Sequence, residues 1–132
     1  MEQTHPSNLS VLRRDFADII QTDRGKDQTG KTTTRLCQRE TFIFTDQSYL
    51  SITEYIAVDG TLGCFYYDWY NQDGTIRFKF HSEPHNDKKY QTATEPYHLH
   101  GNGLLDDKRL PNYGYKGLFS VLELVRIVLM IR

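Results

Sequence analysis

Two Asp-Gly pairs, Asp59-Gly60 and Asp73-Gly74, do most to limit what this chain can fold into. Each reads as a two-residue hairpin turn with positive φ at both positions. The runs beside them have the period of strands. Residues 35–44 and 48–58 flank Thr45-Asp46-Gln47, and the second run sets Leu50, Ile52, Ile56 and Val58 against Ser51, Thr53 and Tyr55. Residues 62–70 are dense in aromatics. In residues 75–80, Ile76, Phe78 and Phe80 alternate with Arg77 and Lys79, and alternation of this kind is the signature of a half-buried strand. Three short connections in a row make neighbouring strands antiparallel, so a four-stranded meander is predicted.

Helices are predicted on either side of it. Leu9, Leu12, Phe16, Ile19 and Ile20 form an apolar stripe over residues 9–20, with Ser7 or Asn8 as N-cap and Arg13, Arg14, Asp15 and Asp18 on a solvated face. Residues 118–132 read as a closing helix in which only Ser120, Glu123 and Arg126 make a thin polar stripe. A helix this apolar is either sandwiched in the core or half of an interface. Residues 22–34 carry no apolar side chain and read as a polar loop or mobile arm. Gly25 and Gly30-Lys31-Thr32 match the spacing of a phosphate loop, but the buried strand before and the helix after that such a loop needs are missing from the pattern. Residues 81–116 hold Pro84, Pro96 and Pro111 and little periodicity, with residues 97–100 as a short fifth strand. A loop region that long in a small domain is usually functional or hides an element.

Composition bounds the function. A chain of 132 residues, 38% apolar and 13% aromatic, can build one core without staples, which excludes disorder throughout and collagen-like repeats. No run reaches the ~18 apolar residues of a membrane span, and polar residues 1–10 lack the apolar centre of a secretory signal. Cys37 and Cys64 are too few for a disulfide scaffold and read as small buried hydrophobes, so a cytoplasmic protein is expected. A formal net charge of −1 argues against a wholly basic nucleic-acid binder, leaving any polyanion site as a local patch.

Four of the five histidines, His81, His85, His98 and His100, fall within twenty residues. Continued alternation puts Arg77, Lys79 and His81 on one face of the fourth strand, and an extended 97–100 puts His98 and His100 together. Imidazole exchanges protons near neutrality, and cations stabilise charge growing on phosphoryl oxygens. Metal-free RNA hydrolysis needs little else: a base for the 2′-hydroxyl, a cation for the pentavalent phosphate and an acid for the leaving oxygen. His85 with His98 or His100 fits the base and acid roles, and Tyr67, Trp69, Tyr70, Tyr90 and Tyr97 are candidates to stack bases. Plainer readings stand beside this one. The histidines are surface residues between turns, Arg77 and Lys79 an ordinary solvent-facing strand, and the aromatics core. Alternatively, His81, His85, His98 and His100 with Glu83 and Asp87 are ligands in a spacing that fits no standard zinc pattern.

The stretch Phe78-Lys79-Phe80-His81-Ser82-Glu83-Pro84-His85-Asn86, with Pro96-Tyr97-His98-Leu99-His100 downstream, resembles the TumE family of small prokaryotic toxins, whose members read R-Y-D-N-A-P-H-H and then P-H-H-K-H. Arg39-Glu40, Asp46-Gln47-Ser48-Tyr49-Leu50, Ser51-Ile52-Thr53-Glu54 and Tyr66-Tyr67-Asp68-Trp69-Tyr70 resemble its upstream strands. Pro84, His85, Pro96, His98 and His100 match in place. His81 stands where the family has aspartate, Ser82 where it has asparagine, Asn86 and Tyr97 where it has histidine, and Leu99 where it has lysine. The resemblance implies a toxin of a type II toxin–antitoxin pair that acts on RNA and is neutralised by an antitoxin protein, with the apolar C-terminal helix as antitoxin surface or homodimer contact.

The reading is a single α+β domain over residues 1–132: an N-terminal helix, an antiparallel meander of four to six strands and an apolar closing helix. Its expected function is metal-independent endoribonuclease with no cofactor. His85, His98 and His100 are the catalytic candidates, and Arg77, Lys79, His81 and Tyr97 the substrate contacts. The alternative is a non-catalytic module that binds nucleic acid or metal and assembles through the closing helix.

Overall fold

A computed structural model describes residues 2–83, 88, 91–101 and 109–131. The elements run α1 (Leu9–Asp15), β1 (Ile20–Arg24), β2 (Cys37–Phe44), β3 (Tyr49–Ile56), β4 (Leu62–Tyr70), β5 (Ile76–His81), β6 (His98–Gly101), β7 (Leu110–Pro111) and α2 (Leu118–Met130). The seven strands form one sheet in chain order, and every neighbouring pair is antiparallel. The predicted α+β meander is thus present, with more strands than the four to six expected. Two of the additional strands come from segments read as loops: β1 enters the 22–34 arm, and β7 lies with β6 inside 81–116.

The two faces of the sheet differ because the strands alternate. One face carries Phe42, Phe44, Leu50, Ile52, Phe65, Tyr67, Trp69 and Phe80, packed against Leu12, Phe16 and Ile19 at the N-terminus and Leu118, Val121, Leu122 and Val125 of α2. Each such side chain, fully buried, contributes roughly 1.5–3 kcal/mol by removal from water. The opposite face is polar and carries His81, His98 and His100. One side of α2 is core, as one reading of its sequence held, whereas Phe119, Ile127 and Met130 are exposed.

The first helix is shorter than its stripe implies. Asn8 caps it by accepting from Val11 N–H, but the chain turns at Phe16, whose carbonyl accepts from both Ile19 and Ile20. Ile20 then pairs with Phe44 in β1; pairing with the sheet edge overrides helical periodicity there. The polar side of α1 is also less solvated than predicted, because Arg13 bonds Glu40 at 2.9 Å and lies 3.3 Å from Asp23.

The Asp-Gly turns form where expected, in a longer variety. Gly60 and Gly74 have φ of +86° and +88°, whereas Gln47 is the sole described non-glycine residue with positive φ. The aspartates therefore do not adopt the left-handed conformation. Asp59 and Asp73 instead accept from the backbone and hydroxyl of Thr61 and Thr75, two residues on, and Asp46 does the same with Ser48. Residues 26–32 make a fourth small hairpin, bridged at Lys26 and Thr32, which folds onto the polar face: Lys26 O accepts from Thr41 Oγ1, and Gln28 N–H donates to Ser51 Oγ. Gly30 thus leads into a β-bridge and not the helix a phosphate loop requires. Among the described residues no helix is long and apolar enough to cross a membrane.

Candidate functional site

The ladder between β5 and β6 sets His81 opposite His98 and Lys79 opposite His100. Residues directly opposite in an antiparallel pair share a face, so alternation along each strand collects three imidazoles and an ammonium on the polar side. The ring centroids of His81, His98 and His100 are 5.2–5.4 Å apart, and each ring offers a nitrogen within 4.8 Å of the others. His81 Nε2 donates to Asp68 Oδ1 at 2.8 Å; Asp68 stands on β4 opposite Lys79. His98 is fully buried, and its Nδ1 donates to the Pro96 carbonyl at 3.3 Å. Fixing one ring nitrogen of each of these two determines which nitrogen faces the cluster.

A cavity of about 220 Å³ opens in front of the cluster, lined by Ile76, Lys79, His81, Glu83, His100 and Arg109. His81 and His100 reach this cavity, whereas His98 sits behind them. Glu83 accepts from Tyr66 Oη at 2.6 Å, and burial together with that carboxylate holds the Tyr66 phenol well above its ordinary range. The site therefore combines proton-exchanging rings, two cations and carboxylates already engaged by neighbours.

Arg77 does not share this face, against the sequence expectation. The β4–β5 register shifts between Trp69 and Tyr70, so Ile76 pairs with Tyr70, Phe78 with Trp69, and Arg77 is the extra residue. Such a bulge breaks the alternation. Ile76 thereby joins Lys79 and His81 at the cavity, and the Arg77 guanidinium lies 4.8 Å from the Trp69 ring on the core side, bonded to Asp46 and Asn71. Burial opposes ionisation of Asp46, but hydrogen bonds from Ser48 and Arg77 outweigh it and hold the carboxyl below its usual range.

Tyr97 also points elsewhere. It precedes His98 by one residue and packs 6.2 Å from Phe65, beneath the Lys116 ammonium. Tyr67 and Trp69 are core, as the plain reading held, and Tyr70 is 5% exposed, stacked on Tyr49. His85, Asp87 and Tyr90 lie outside the described residues. Sequence reasoning missed Asp68 and Arg109 and placed Glu83 only among metal ligands. Asp68 was legible in the alternation of β4, where Tyr66, Asp68 and Tyr70 oppose Phe65, Tyr67 and Trp69. Arg109 had no local signal.

Three imidazoles within reach of one another could also hold a metal ion, with Asp68 and the Pro96 carbonyl as the outer partners that orient such rings. A fold of seven meandering strands and two helices does not by itself name a function. No curated protein and no solved structure matches the chain. The family model described as toxin TumE matches residues 8–129, from the N-cap of α1 to the last turn of α2. That span takes in the whole sheet and the histidine cluster, so the chain belongs to the TumE toxin family and is the toxin of a toxin–antitoxin system, with an antitoxin as its partner.

Proposed function

We propose that this toxin is an endoribonuclease that cleaves RNA without metal by proton transfer at the His81–His100 pair. The observation that carries the reading is the cavity in which these two imidazoles meet Lys79 and Arg109, in front of buried His98. With Nε2–H held by Asp68, Nδ1 of His81 has the lone pair to accept the 2′-hydroxyl proton. The 2′-oxygen bonds to phosphorus as the bond from phosphorus to the 5′-oxygen breaks. Protonated His100 supplies the leaving oxygen with its proton, so one proton is taken and one returned. Lys79 and Arg109 stabilise the charge that grows on the phosphoryl oxygens. His98 positions the other two rings. His85 is retained as a further proton-transfer candidate.

A metal-dependent nuclease is the second reading, favoured by the mutual reach of the three ring nitrogens. Incubating the full chain with single-stranded RNA, with and without chelator, separates the two. Cleavage that persists in chelator and is lost in His100→Ala and His81→Ala supports proton transfer; cleavage abolished by chelator transfers the cluster to metal binding. Binding without cleavage returns the protein to a non-catalytic module. The exposed apolar residues of α2, Phe119, Ile127 and Met130, support its reading as the surface for antitoxin or for a second copy.

A further inference from the structure

A second cavity, of about 280 Å³, opens on the same polar face, between the 26–32 hairpin and the middle of the sheet. Tyr55, Tyr66, Thr53, Ser51, Gln28 and Lys31 are among its lining residues. It adjoins the histidine cavity through two residues. Asp68 lines it while holding His81, and the Tyr66 ring lies 4.8 Å from the His81 ring. The register places Thr53 opposite Tyr66 and Tyr66 opposite His81. From β3 to β5 is two strand spacings, about 10 Å, a span covered by neighbouring nucleotides of an extended strand.

The chemistry of this cavity suits a base better than a phosphate. Its carboxylates, Asp27 and Asp68, would repel an anion, and its Arg39 guanidinium is 3.3 Å from Asp27. Beside the single ammonium of Lys31, what remains is an aromatic platform with uncharged polar groups around it. Tyr55 is 42% exposed and is held edge-to-face against Tyr66 at 6.0 Å. Thr53 and Gln28 offer donors and acceptors, as recognition of an unpaired base on an aromatic ring requires.

We propose that this cavity is a nucleobase subsite, in which Tyr55 stacks the base of a nucleotide adjoining the cleaved linkage of single-stranded RNA. The inference rests on the reading of the histidine cavity as an RNA-cleaving site. It makes the 26–32 hairpin a wall of the substrate groove.

The test is fluorescence anisotropy on the full chain with a fluorescein-labelled, 2′-O-methylated RNA that cannot be cleaved, repeated with a single abasic nucleotide moved along it. Tyr55→Ala is expected to weaken binding roughly 5- to 150-fold and Tyr55→Phe by no more than about two-fold, because stacking needs the ring and not the hydroxyl. One abasic position should weaken wild-type binding and leave Tyr55→Ala unchanged. Melting temperature checks that the exposed ring is not needed for folding. Wild-type affinity in Tyr55→Ala, or equal abasic losses in both proteins, overturns the subsite. Cleavage is read separately on unmodified RNA. A wild type that cleaves while Tyr55→Ala binds normally removes the subsite alone; a wild type that binds as expected but never cleaves removes the catalytic reading alone; no binding removes both.

Discussion

Arg77 and Lys79 are two residues apart in one strand, yet the bulge at Arg77 gives them different work. Lys79 lines the histidine cavity, so Lys79→Ala is expected to slow RNA cleavage about 100-fold or more with folding intact, the scale for removing one donor to a developing oxyanion. Arg77→Ala should leave the rate near wild type and lower stability by about 2 kcal/mol, because Asp46 loses its partner and Trp69 its stacked cation. Rates and denaturation midpoints of the two variants check this, and equal rate losses would count against the assignment. Glu40 offers a separate residue-level test. Burial and the neighbouring Asp23 carboxylate push its pKa up to about 7 despite the pull of Arg13. The folded chain then holds a proton there that the unfolded chain, titrating near 4.3, has released. Stability therefore falls as pH rises from about 4.5 to 7. Glu40→Gln is expected to flatten that fall in melting temperature; an unchanged slope would assign it to other groups.

At the scale of elements, one buried carboxylate ties the N-terminal segment to the sheet. Glu54 on β3 accepts from Ser7 N–H and Oγ, Gln38 Nε2, Gln3 Nε2 and the Tyr67 hydroxyl, and Gln3 Oε1 accepts from Leu118 N–H where α2 begins. Gly117, the N-cap, has no side chain to do this. Glu54→Leu strands several buried donors and should cost about 3 kcal/mol, together with faster hydrogen exchange at the first turn of α2; a loss confined to the global transition with α2 unaffected would contradict the linkage. The partners were not legible in the sequence, where Glu54 takes an apolar-phase position between Ile52 and Ile56. The strands were legible, since residues 62–70 pattern as β4 does and the Asp-Gly pairs punctuate correctly. The end of α1 was not, because the competing partner of Ile20 is Phe44, far along the chain. The bulge was likewise hidden. Period-two reasoning has no means of seeing one extra residue in β5, and Arg77, being that residue, falls on the other face.

For the molecule as a whole, the sheet divides its side chains: α1, α2 and the core aromatics occupy one side, and His81, His98, His100, Tyr55, Tyr66 and Asp68 the other. The clustering of histidines was readable because β5 and β6 are adjacent antiparallel strands. Which histidines reach the cavity was not, since His98 becomes buried only once the sheet is assembled. The net charge of −1 fits the proposed reading, in which the substrate is gripped locally, at Lys79, Arg109 and an aromatic subsite. Proton transfer by the imidazole pair requires the 2′-hydroxyl to act as nucleophile. The most direct measurement is the chemistry of the cut ends, made in chelator on a single-stranded RNA and on a copy with a 2′-deoxynucleotide at the cleaved position. The expected result is a 2′,3′-cyclic phosphate and a 5′-hydroxyl from the RNA, with no cleavage at the deoxy linkage. Cutting at that linkage, or a 5′-phosphate product that vanishes in chelator, would mean that water activated by a metal does the work and not the imidazole pair.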